Sequence, residues 1–165
     1  MEKLVSIATG LALLAGCAES GGAMRKEGGA MNKVDVNRSV VKRFYLECIN
    51  KRQFDLLPEY VTLDVVNHSS GSRGIDAVGA AAEDLHRAFE NLEFDVVEVI
   101  GEGDRVAIRY VLRGTQVAPF AGQPPTGKPV ERPGINWFRL SEGRISEVWL
   151  GVDPRVVRPP APKAN

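Results

Sequence analysis

The chain has 165 residues, 21 basic and 21 acidic, with no formal net charge, 44% apolar residues and two cysteines. This length suits one domain that can bury a real core without disulfides. The charge balance leaves no field that would draw the chain to nucleic acid or anionic lipid, and two cysteines imply no disulfide framework.

Lys3 precedes an apolar run, Leu4 to Ala15, that ends in Leu14-Ala15-Gly16-Cys17. A weakly basic start, a short apolar stretch and small residues predict a secretory signal over residues 1–17. Twelve residues as a helix would reach about 18 Å, short of a hydrocarbon layer of about 30 Å, so a spanning anchor is not expected. The last four residues resemble the lipobox of bacterial lipoproteins. That resemblance implies lipidation of Cys17, a lipid anchor and a place in the cell envelope. The Gly-rich composition of residues 18–33 predicts a flexible tether. A competing expectation is translation from Met31, in the cytoplasm, because Lys26-Glu27-Gly28 can be encoded by a purine-rich ribosome-binding sequence.

The domain is expected over 34–153, with a Pro-rich tail over 154–165. Val36, Val40, Val41, Phe44, Tyr45, Cys48 and Ile49 form the stripe of an amphipathic helix from about Asp35 to Asn50. Cys48 lies within that stripe and reads as a small core hydrophobe. Gln53 to Tyr60 predicts a short helix bent near Pro58. A short strand, Leu63 to Asn67, leads to the loop His68 to Gly74. Ile75, Val78, Ala82, Leu85 and Phe89 predict a helix from Ile75 to Asn91, with His86 at its solvent margin.

A strand from Leu92 to Ile100 follows, then the turn at Gly101 to Asp104. Three strands are expected next: Asp104 to Ala118, Lys128 to Ser141 and Arg144 to Val152. In the first of these, Val106, Ile108, Tyr110 and Leu112 share one parity while Arg109 and Arg113 share the other, as in a half-buried strand. Glu142-Gly143 turns the last two into a hairpin. The fold class is therefore α+β: about three helices cover a cone-like curved antiparallel sheet and enclose a pocket.

Several segments are similar to one known family. Val40 to Tyr45, Val66-Asn67-His68-Ser69, Gly101 to Arg109, Pro124 to Lys128 and Gly143 to Trp149 resemble SnoaL-like polyketide cyclases of the nuclear-transport-factor-2-like superfamily. The resemblance implies a cone with a deep pocket, a homodimer through the outer sheet face, and ring closure of polyketides or esters by intramolecular aldol chemistry. That chemistry needs a base, an acid and a shaped pocket, and no metal or cofactor. The chain departs from the family at Val148 and Leu150, where cyclases carry a histidine and an acidic residue; neither side chain transfers protons.

His68 matches the family's Asn/Asp-His position, and an imidazole's ordinary pKa near 6.5 suits a general base. Glu147 and Trp149 share a strand parity, so Glu147 is the candidate partner and Trp149 a pocket wall or a dimer contact. Tyr45, Arg109 and Asn136 complete the candidate pocket for a hydrophobic small molecule. Arg109 and Arg113 also fit a solvated sheet face. Two histidines 18 residues apart make no metal motif, and neither a nucleotide fingerprint nor a nucleophile elbow is present.

Overall fold

The computed structural model describes residues 32–152. The predicted leader, Cys17, the tether up to Met31 and the Pro-rich tail lie outside the described residues.

Helix α1 spans Lys33–Arg43. The Asn32 side chain accepts a bond from the Asp35 amide at 2.9 Å. Asp35 in the first turn and Lys42 and Arg43 in the last complement the helix dipole. The helix runs on as a π-helical turn, Phe44–Ile49, closed by Asn50 N donating to Tyr45 O at 2.9 Å. Val41, Tyr45, Cys48 and Ile49 are all buried, as the apolar stripe requires. A 3-10 turn, Phe54–Leu56, leads into α2, Leu57–Tyr60, with Pro58 in its first turn, where a missing N–H costs nothing.

Strand β1, Val61–Asn67, is followed by α3, Ile75–Ala88. Then come β2, Phe89–Glu102, β3, Arg105–Gln116, β4, Pro129–Ser141, and β5, Arg144–Val152. The strand order is β1-β5-β4-β3-β2. The sheet is mixed rather than wholly antiparallel: β1 joins β5 in parallel, and the other three pairings are antiparallel. The chain reaches that edge because α3 and three strands intervene between β1 and β5, so the connection is long enough for a parallel partner.

Helix α3 ends three residues before the expected Asn91. Phe89 is already extended, pairs with Gln116 in the ladder and is 1% exposed. Its ring packs on Phe120 at 5.1 Å between centroids. Sheet pairing and burial of this aromatic outweigh continuation of the helical pattern.

The helices cover the concave face of the sheet. Core residues there include Phe94, Val106, Ile108, Leu112, Phe138 and Ile145. The interior is closed by aromatic rings: Tyr45 stacks on Tyr110 at 5.9 Å, and Phe94 meets both edge-on at 5.2 and 5.0 Å.

Candidate functional site

The candidate residues separate into two groups on opposite faces of the sheet. Strand alternation makes this separation. On β4, Asn136, Phe138 and Leu140 are buried on the inner face, while Trp137 is 41% exposed on the outer one. Ladder partners share a face. Trp149 is opposite Trp137, Glu147 opposite Arg139, and Val148 opposite Phe138. Val148 therefore looks into the cone, and Glu147 and Trp149 look out.

On the outer face, His68 and Glu147 do meet. His68 N donates to Val148 O at 2.9 Å, which holds the residue beside β5. Its Nε2 donates to Glu147 Oε2 at 2.7 Å. The imidazole lies flat on Trp149, with centroids 4.4 Å apart and planes 8° apart. Arg139 Nη1 donates to the other Glu147 oxygen at 2.7 Å. The bonds from His68 and then Arg139 hold the Glu147 carboxyl below its ordinary pKa, so the group stays ionised. Ser69 fastens the loop: its Oγ accepts from Leu150 N at 2.7 Å and donates to Leu150 O at 3.0 Å. This arrangement orients an imidazole and sets its tautomer, with the His68 side chain 38% exposed.

Arg109 is placed on the same outer face, bonded to Glu98 at 3.3 Å and half exposed. Arg113 bridges Asp95 and Glu131 at 2.7 and 3.0 Å. Both arginines are occupied by sheet-face ion pairs and are not part of the interior.

Inside the cone, Tyr45 and Asn136 come together across 91 positions of sequence, with Asn136 Nδ2 donating to Tyr45 Oη at 2.5 Å. Asn136 Oδ1 accepts from Gly151 N at 2.8 Å and from Tyr110 Oη at 3.4 Å. Burial drives the Tyr45 phenol far above its ordinary pKa, and the neighbouring Tyr110 adds to this. The hydroxyl therefore keeps its proton. Two phenols and an amide so arranged can hydrogen-bond an oxygen of a guest molecule. They cannot take a proton from carbon at neutral pH.

Tyr110 escaped the sequence reading because it shares parity with Val106 and Ile108 and reads there as apolar. Gly134 was the available signal. It is opposite Tyr110 in the ladder, and a Cβ on it would come within 2.5 Å of Tyr110 Oη, so a side chain at 134 would occupy the hydroxyl's space. The π turn that carries Tyr45 has no residue pattern of its own. His86 stands at the solvent margin as expected, partly buried and lining a cleft, and its Nε2 donates to Ile49 O at 2.8 Å, which braces the end of that turn.

Two clefts flank the aromatic interior. One, of about 410 Å³, lies between Asp35, Arg38, Ser39 and Lys42 of α1 and Val96 to Val99 of β2. The other, of about 400 Å³, is lined by residues that include Asn50, Arg52, His86 and Leu92. Among the described residues, no group of three or more His, Cys, Asp or Glu side chains is placed to hold a metal ion.

The family model for SnoaL-like polyketide cyclases matches residues 39–155. Among solved structures, a protein of Jannaschia sp. CCS1 classed as a SnoaL-like polyketide cyclase is 28% identical, with 78% of this chain and 93% of that one covered and a TM-score of 0.67. IdmH of Streptomyces antibioticus, classed as a polyketide cyclase, is 28% identical over 69% of this chain and 89% of its own, with a TM-score of 0.60. TsrD of Streptomyces laurentii shares the fold at 20% identity, covering 76% and 93%, with a TM-score of 0.67. No curated protein matches the chain. With the family model spanning most of the chain and the α+β cone in place, the protein belongs to the SnoaL-like polyketide cyclase family.

Proposed function

We propose that this protein takes a hydrophobic carbonyl compound, of the ester or polyketide type, into the cone and holds its oxygen on Tyr45, Tyr110 and Asn136. The observation that carries the reading is the buried set of polar groups joined at 2.5 and 3.4 Å, walled by Phe94 and Phe138. Small-molecule sites combine apolar walls with a few convergent polar groups; here the rings of Tyr45, Phe94 and Tyr110 pack around those groups, so a guest has to displace them. Val148, with Leu150 at the same parity, provides no proton-transfer group on this side of the sheet, which favours binding without turnover.

A second reading is cofactor-independent enolate chemistry of the cyclase type. It is favoured by the His68–Glu147 dyad, in which a carboxylate orients an imidazole at 2.7 Å as a general base requires. Because the dyad lies on the outer face, this chemistry would act on a carbonyl compound bound there and not on a guest held by the interior donors. The outer face also supports a homodimer, because Trp149, Trp137, Ala107 and Ile100 are aligned across four strands, with Trp137 41% and Ile100 59% exposed. Such a contact would cover the dyad. An anchor through Cys17 remains part of the proposal for the whole chain.

The probe is prodan, a fluorescent naphthyl ketone, in a binding titration and in α-proton exchange in heavy water followed by mass spectrometry. Saturable binding weakened about three- to tenfold by Tyr45→Phe, the size expected for one hydrogen bond, supports the site. Exchange at the buffer rate then selects binding alone; faster exchange that His68→Gln abolishes selects enolisation. Lack of saturable binding refutes both readings for this ligand class.

A further inference from the structure

Tyr45 is 3% and Asn136 4% exposed, so a guest reaching them has to part the cone somewhere. Strands β2, β3, β4 and β5 are joined by main-chain ladders, and separating any two breaks several bonds at once. Helix α1 lies along β2, one of the two edge strands of the sheet; the other, β1, is joined to β5 by its own ladder and lies against α2 and α3. Side chains bolt that seam. Arg38 Nε donates to Val99 O at 3.1 Å. The Asn50 side chain accepts from Phe94 N at 2.9 Å and donates to Phe94 O at 3.0 Å.

The two clefts lie along this seam, on either side of the Asn50–Phe94 pairing. The local backbone is irregular at both. The β2–β3 register shifts between Glu90 and Glu93 and again between Val96 and Glu98. Arg52 and Asn91, both lining the second cleft, adopt φ of 57° and 51°, and the π turn ends at Ile49. Such turns and strained residues concentrate where segments rearrange. Phe94 carries the effect inward, since its ring touches both Tyr45 and Tyr110.

We infer that the α1–β2 seam is the entrance to the cone and that Asn50 is its latch, an inference that rests on the carbonyl-compound reading above. Opening there releases side-chain hydrogen bonds and leaves every ladder intact. Capping of an edge strand against foreign strands would use the same bonds, but it predicts no effect on ligand uptake.

The test is stopped-flow association of prodan with the whole chain, for wild type, Asn50→Ala and Tyr45→Phe. Arg38→Met, which frees the other bolt, stands in should Asn50→Ala fail to fold. Release of the latch accelerates uptake about tenfold, the effect of losing one or two hydrogen bonds, and speeds amide exchange at Phe94, with equilibrium affinity changed much less than rate. Uptake at the wild-type rate in the folded latch variants, with binding still weakened by Tyr45→Phe, overturns the latch and leaves the site standing. Lack of saturable uptake in every protein overturns the site, and the latch with it.

Discussion

Replacing Gly134 with alanine tests the interior geometry directly. Gly134 lies opposite Tyr110, and a Cβ there would meet Tyr110 Oη at 2.5 Å, Cζ at 2.6 Å and Cε2 at 3.0 Å. The ring cannot retreat freely, because Tyr45 stacks on it and Phe94 packs edge-on. Gly134 is absent from the positive-φ glycines, so alanine adds no backbone strain. Alanine in an unstrained glycine position would ordinarily stabilise by about 0.4–1 kcal/mol through the unfolded chain. Overpacking a core costs about 1–3 kcal/mol. The net expectation is a loss of about 1–2 kcal/mol, or roughly 4–10 °C in Tm for a domain of this size.

The assay is urea unfolding followed by circular dichroism, in which the midpoint falls and the slope is unchanged. Tyr110→Leu removes the obstructing ring, and in that background Gly134→Ala becomes neutral or stabilising, a coupling of opposite sign. A single Gly134→Ala variant as stable as wild type would refute the placement of Tyr110.

Three further outcomes follow from named contacts. Cys48 is fully buried, and burial pushes its thiol up to about 11, so a thiol reagent at pH 8 labels it only at the rate of unfolding. Glu147 has a depressed carboxyl pKa in the fold, owing to His68 and then Arg139. Its stabilisation is therefore present above the ordinary carboxylate pKa and lost as pH falls through the lowered one; Glu147→Gln flattens the acid limb of a stability–pH curve, and an unchanged limb counts against the pairing. Trp137→Glu places a charge at the centre of the outer apolar row, and light scattering of the purified chain then shows a dimer reduced to monomer if that face joins two copies.

Much of the fold was legible because its signals are local. Alternating apolar residues in β3 and the stripe through Val41, Tyr45 and Cys48 specify which side faces the core. The Glu142-Gly143 turn joined β4 to β5 as expected, with Glu142 and Gly143 at φ of 50° and 75°. The parallel pairing of β1 was not legible, since nothing in seven residues states which edge they join. Strand parity relates Glu147 to Trp149 and does not say which parity is inner, so the face that carries the His68–Glu147 contact is decided by the fold.

The amino-acid sequence by itself determined the α+β class, the order of helices and strands, the family and the chemical types present at the candidate positions. Tertiary structure decided which of those side chains share a space. Ladder register sent Glu147, Trp149 and Arg109 to the convex face and Asn136 to the concave one. A π-helical turn then brought Tyr45 to Asn136 across 91 residues. Those pairings depend on strand register and helix packing, which involve residues distant in sequence, and so they exist only once the whole sheet has closed over its helices.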